Sequence, residues 1–201
     1  MPIDKSIDYS AITPEIKALT KLCLADNVIE PEMYVKYAVN RGLRDLNGNG
    51  VLTGLTEISE IQSSKMVDGE KVPCEGKLFY RGVDVEQIVS GFIREKRYGF
   101  EETVYLLLFG ALPDEAQLDD FKKLLAGYRS LPTNFVRDVI LKAPNADMMN
   151  TLARSVLTLY SYDARATDNS TENVLRQCLQ LISLCPMLSI YGYQAYSHYH
   201  D

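Results

Sequence analysis

The sequence predicts an all-α protein carrying one small β element. Apolar residues recur at helical spacing through most windows, Pro and Gly punctuate those windows where helices should start and stop, and Gly48, Gly50, Gly54, Gly69, Gly76 and Gly82 crowd into a single stretch. The 201 residues, 46% hydrophobic and 24% charged, suffice for a buried core and exclude a disordered or collagenous chain. No internal repeat or long linker divides them, so one unit is expected.

The first helix should open with Thr13 as N-cap and Pro14 at the first helical position, carry Ile16, Leu19, Leu22 and Cys23, and stop near Asp26-Asn27. A second short helix follows Pro31 with Met33, Tyr34, Tyr37 and Ala38, running out at Asn40 to Gly42. Between Leu43 and Gly82 the pattern becomes loop with a hairpin: strand-like runs lie around Leu55 to Ile61 and Lys77 to Tyr80, with the turn signal Asp68-Gly69 between them.

From Val83 the reading is helical. Phe100 to Phe109 starts with Glu101 and Glu102, where acidic groups complement the helix dipole, and ends at Gly110. Asp114 to Ser130 sets Leu118, Phe121, Leu124, Leu125 and Tyr128 on one stripe, with Asp119, Asp120, Lys122 and Lys123 opposite. A short helix with Phe135, Val136, Val139 and Ile140 should lie between Pro132 and Pro144, followed by one carrying Met149, Leu152, Ala153, Val156 and Tyr160. The last window, Asn173 to about Tyr196, is apolar around nearly its whole circumference. Such a helix should be buried on all sides, centrally or against another subunit, with Pro186 as a kink. Tyr191, Tyr193, Tyr196 and Tyr199 crowd toward Asp201 with no polar tail or capping glycine, which reads as a chain cut rather than finished.

Twenty-one Lys and Arg against 27 Asp and Glu give a net charge of -6, which speaks against a nucleic-acid partner. No run reaches the roughly 18 consecutive apolar residues of a membrane span, and no signal-peptide run opens the chain, so a cytoplasmic protein without membrane contact is expected. Cys23, Cys74, Cys178 and Cys185 show no C-x-x-C spacing and read as reduced structural thiols.

Several motifs invite a functional reading. Asp45-Leu46-Asn47-Gly48-Asn49-Gly50 matches the opening of a calcium loop, yet the twelfth position is Thr56 and Glu57 comes one residue late, so an Asn/Gly-rich turn is preferred. His198-Tyr199-His200-Asp201 would present ligands to a metal only as a strand and lacks a third ligand pattern elsewhere. Arg94, Lys96 and Arg97 could hold a phosphate but equally form a solvated helix end. The run Asp114, Glu115, Asp119, Asp120 has a similar account as first-turn and solvent-face charge. Metal ligands and a bound cofactor are therefore not expected.

Taken together, Gly54-Leu55-Thr56-Glu57-Ile58-Ser59, then Gly76-Lys77-Leu78-Phe79-Tyr80-Arg81-Gly82-Val83-Asp84-Val85, then Phe100-Glu101-Glu102-Thr103-Val104-Tyr105-Leu106-Leu107-Leu108-Phe109-Gly110-Ala111-Leu112-Pro113 resemble, in order and spacing, the N-terminal part of citrate synthases. Arg129-Ser130-Leu131-Pro132 and the helix Met148-Met149-Asn150-Thr151-Leu152-Ala153-Arg154-Ser155-Val156 extend the likeness over residues 43 to 197. Val83 departs from it, standing where the family usually has an aromatic residue. Residues 1 to 42 resemble the leader of a bacterial branch.

The resemblance implies large-domain helices with a small N-terminal β-hairpin, divided as a helical leader over 1–42, loop and hairpin over 43–82, and large-domain helices over 83–201, with the small catalytic domain absent. It implies a transferase of the tricarboxylic acid cycle that condenses acetyl-CoA, a substrate rather than a resident cofactor, with oxaloacetate; a 2-methylcitrate synthase is the near alternative. In that family a carboxylate takes a proton α to the thioester, one histidine stabilises the enolate and another polarises the ketone. Those groups belong to segments beyond the region of likeness. His198 and His200 do not stand in a His-Gly motif, and no catalytic, substrate-binding or cofactor-binding residue is assigned. A truncated fragment, inactive alone, is expected. The resemblance also implies a homodimer through the helices Met148 to Tyr162 and Asn173 to Tyr196. The rival reading is a non-catalytic helical dimerisation module.

Overall fold

The computed structural model describes residues 8, 10–26, 28–39, 43, 51 and 53–200. The chain falls into two compact units, Met1–Thr20 with Asp119–Asp201, and Lys21–Leu118. The calcium-like run Asp45 to Gly50 lies outside the described residues. Helix α1, Pro14–Ala25, starts where the sequence places it, with the Thr13 hydroxyl accepting from the Ile16 amide at 3.4 Å. Helix α2, Pro31–Lys36, is a short turn that buries nothing.

In the Lys21–Leu118 unit, strands β1, Ser59–Val67, and β2, Glu70–Tyr80, pair antiparallel. Their two-residue turn, Asp68-Gly69, has positive φ at both positions, 52° and 84°, as a tight hairpin requires. The strands differ from the expected runs: residues 55 to 58 stay outside, and pairing extends through the polar stretch around the turn. Both faces of the distal hairpin are exposed, so no alternation of apolar and polar side chains marks it, and backbone pairing from the turn sets its length.

A second tight turn, Arg81-Gly82, with φ of 49° and 80°, joins β2 to the two-residue strand β3, Val83–Asp84, where the sequence reads as already helical. Asp84 then caps helix α3, Val85–Glu95, accepting from the Glu86 amide at 2.9 Å. Helix α4 runs Phe100–Phe109 as expected and ends at Gly110 with φ 83°. The left-handed turn lets Arg81 donate from Nε and Nη2 to the Leu107 carbonyl at 3.2 and 3.1 Å, and from Nη1 to the Asp26 carbonyl at 3.3 Å. A cation thus meets the carbonyl end of α4, where the dipole favours it.

Helix α5, Glu115–Gly127, opens on a reciprocal cap: the Asp114 carboxylate accepts from the Gln117 amide at 2.8 Å while the Gln117 side chain accepts from the Asp114 amide at 2.9 Å. It buries Phe121 and Leu125 from the expected stripe. The helix expected between the two prolines is a single π-helical turn, Val136–Ile140. Helix α6, Met148–Tyr160, is capped by Asp147 and ends two residues before the expected limit, and helix α7, Thr171–His200, is longer than expected at both ends.

Phe135, Ile140, Leu184, Leu188 and Ala195 form a core cluster onto which Leu152, Val156 and Leu159 of α6 pack. Helices α6 and α7 approach closely at Gly192, where a Cβ would lie 2.9 Å from the Thr151 methyl.

Of the two expectations for α7, burial centrally within this chain fails. The helix buries one side, including Leu175, Leu179, Leu184 and Leu188, and exposes Val174, Leu181, Ile190, Tyr193 and Tyr199 on the rest. An apolar circumference reflects composition; burial needs neighbours, and this chain supplies them along one stripe. Among the described residues α7 is the one helix long and apolar enough to cross a membrane, and a third of its most apolar window is buried within the chain.

Candidate functional site

The most organised polar constellation lies where α7 meets the turn after α6. Arg176 is fully buried, and its guanidinium donates to Asp163 Oδ2 at 2.6 Å, to Asn173 Oδ1 at 2.7 and 3.0 Å, and to Gln180 Oε1 at 2.8 Å. Asp163 accepts in addition from Gln177 at 3.1 Å, the Arg165 amide at 2.9 Å and the Ser10 hydroxyl at 3.0 Å. The Asn173 amide closes the turn by donating to the Arg165 and Asp168 carbonyls at 2.8 and 2.7 Å.

Burial pushes the Asp163 carboxyl up, but hydrogen bonds from Arg176, Gln177, the Arg165 amide and Ser10 outweigh it and hold the group below the usual carboxylate range. Each carboxylate oxygen already takes two donors. The arrangement therefore orders the turn rather than offering a reactive group. Sequence reading missed it; an Arg and an Asn on the face of α7 that carries Leu175 and Leu179 was the available signal.

Beside it lies a cavity of about 360 Å³, lined by Tyr128 at the end of α5, by Val156 and Leu159 of α6, and by Leu181 and Leu184 of α7. Burial raises the Tyr128 phenol above its ordinary range; Arg176 opposes the shift and Glu15 adds to it. The Tyr128 hydroxyl is buried and has no hydrogen-bond partner.

The residues singled out from the sequence are scattered. His200 Nδ1 lies 2.9 Å from the Tyr196 carbonyl and its ring stacks on Tyr196, whereas His198 meets Tyr199 edge-on, so the two imidazoles engage different partners. No metal-ligand cluster of three or more His, Cys, Asp or Glu occurs among the described residues. Arg97 bonds Glu95 and Glu102 and lies over the Phe92 ring at 5.0 Å, while Arg94 is 3.9 Å from Glu95. Arg94 and Arg97 of that basic cluster thus face carboxylates. In the acidic run, Asp114 is the α5 cap and Asp120 pairs with Lys123 at 3.1 Å. None of the four cysteines is in a disulfide, and burial pushes the Cys185 thiol up.

A helical framework with one three-stranded sheet defines the class of structure. A family model described as citrate synthase, C-terminal domain, matches residues 45–201, and the chain belongs to the citrate synthase family. The chain is 33% identical to the citrate synthase of Saccharolobus solfataricus over 107 residues, which are 53% of this chain and 26% of that protein. It is 29% identical to 2-methylcitrate synthase 1 of Corynebacterium glutamicum over 141 residues, 70% of this chain and 32% of that one. The crystal structure of citrate synthase from Pyrobaculum aerophilum superposes with a TM-score of 0.58 at 25% identity, covering 78% of this chain and 39% of that chain. The matched region thus spans between a quarter and a third of the length of these two curated relatives. The match starts at residue 45, close to where the motif resemblance begins, and the helical fold with a small β element is the expected one.

Proposed function

We propose that these 201 residues supply the helical framework of a citrate synthase of the tricarboxylic acid cycle, which joins acetyl-CoA to oxaloacetate, and do not turn over substrate by themselves. The family match carries the assignment, and the chain's histidine content carries the inactivity: its two histidines are His198 and His200, so no imidazole is available before the end of α7 to polarise a ketone or stabilise an enolate. The base and the electrophilic histidines would come from sequence outside these residues.

The relatives include 2-methylcitrate synthases, which supports a second reading of the same framework with a longer acyl-CoA. The framework also works as a homodimer in this proposal. Met149, Leu157 and Tyr160 of α6 and Ile190, Tyr193 and Tyr199 of α7 are exposed, and pairing with a second copy would remove this apolar surface from water. A cytoplasmic location belongs to the same reading.

The test is release of coenzyme A, followed with a thiol reagent, from acetyl-CoA and oxaloacetate and separately from propionyl-CoA. No release above the enzyme-free blank is expected from the purified 201-residue chain. Turnover comparable to a complete family enzyme would overturn the proposal.

A further inference from the structure

Helix α6 carries an arginine that no carboxylate answers among the described residues. Arg154 is half-buried, and its guanidinium donates from Nη2 to the Ala143 carbonyl at 2.7 Å. Its Nε is buried without a partner. By contrast Arg97, Arg137, Arg165 and Arg176 each meet a carboxylate. A guanidinium stays charged at every accessible pH and has five donors to place, so half-burial with one donor matched leaves Arg154 under-compensated and open to an anion.

Seven residues earlier, on the same face of α6, stands a carboxylate in the complementary state. Asp147 is exposed; its Oδ1 caps the helix by accepting from the Asn150 amide at 2.9 Å, and its Oδ2 takes no donor among the described residues. Seven residues of helix advance about 10 Å and return to within about 20° of the same face. Between the two charges the exposed side of α6 presents Asn150 and Ala153, whose short side chains let another helix come close, and Leu157 continues the stripe. An acid followed one heptad later by a base is complementary to its own reversed copy. Antiparallel alignment about a two-fold axis sets each Arg154 against the other copy's Asp147, whereas parallel alignment in register sets like charges together.

We propose that a second copy of this chain packs its α6 antiparallel on this one, with Arg154 of each copy paired to Asp147 of the other and the two-fold axis beside Asn150. The proposal rests on the homodimer reading and deepens it: that reading calls for the apolar face of α6 to be covered, and the charge pair fixes the register in which it is covered. The groove along α6, with Ala153, Leu157 and Thr158 in its walls, is the surface the second copy occupies.

The test is sedimentation equilibrium of the wild-type chain, of Arg154→Glu, of Asp147→Arg, of the equimolar mixture of these two variants, and of the chain carrying both substitutions. Either reversal alone sets two pairs of like charges across the axis and should weaken self-association more than about 100-fold. The mixture should recover a species of twice the chain mass of 22.7 kDa, since a stripe with two bases then meets a stripe with two acids. The doubly substituted chain restores opposite charges at both contacts and should dimerise within about tenfold of the wild type, although it too has lost the Asp147 cap, which separates charge pairing from damage to the helix. A wild-type chain that stays at 22.7 kDa would overturn the homodimer reading and this inference together. A wild-type dimer that survives either single reversal, or failure of either the mixture or the doubly substituted chain to recover association, leaves the homodimer standing and overturns the register alone.

Discussion

Helix α7 and the β1–β2 hairpin dispose of their apolar residues in opposite ways. The helix sinks Leu175, Leu179, Leu184 and Leu188 and carries a fully buried arginine with them, whereas the hairpin leaves Ile61 77% and Met66 67% exposed. In the helix, a 3.6-residue period aligns apolar side chains on one stripe, and neighbours in α6 and the π-helical turn close over it. In the hairpin, two residues at positive φ fix the register, and cross-strand backbone bonds hold it without a core. Stability should therefore reside in the helical unit, and function-related surface in whatever the exposed residues meet.

The largest expected effect is in the helical unit. Asp163→Ala leaves the buried Arg176 guanidinium without its carboxylate and should cost about 3–5 kcal/mol in urea unfolding. A loss under about 1 kcal/mol would place stability elsewhere. Acid offers the same test without mutation. Because the folded Asp163 carboxyl lies below its ordinary value, its contribution is fully present above the unfolded pKa of about 3.9 and disappears as pH falls through the lower folded value. Asp163→Asn should flatten the stability profile in that window.

A smaller effect is expected at the α6–α7 contact. Gly192→Ala adds a Cβ at 2.9 Å from the Thr151 methyl, and the buried threonine has little room to retreat, so a loss of about 1–3 kcal/mol should appear as a lower thermal midpoint. Smallest of all, Ile61→Thr on the exposed hairpin should shift stability by less than about 0.5 kcal/mol. A larger shift would mean that this side chain is covered in solution.

The same contrast explains what could be read from the chain alone. Helix α4 was legible because Glu101, Glu102 and Gly110 mark both ends locally, and the hairpin turn was legible because Asp-Gly favours positive φ. The strand lengths were not, since Ser64, Lys65 and Lys71 carry no apolar alternation and pair through the backbone. The turn at Arg81-Gly82 was missed because arginine seldom adopts φ of 49°; two carbonyls receive its side chain there. The Asp163–Arg176 pair joins a turn residue to a helix residue thirteen positions on, and no local period announces such a pair. The Tyr128 hydroxyl was equally hidden, because the tyrosine fits the apolar stripe of α5 whether or not its oxygen finds a partner.

The exposed faces of α6 and α7 carry the proposed homodimer contact. Sedimentation equilibrium of the purified chain measures this directly. A species of about twice the chain mass of 22.7 kDa is expected at micromolar concentration, returning to the single-chain mass in Leu157→Glu, which puts a charge on the exposed stripe of α6. A wild-type chain that stays at 22.7 kDa across the accessible concentration range would contradict the account.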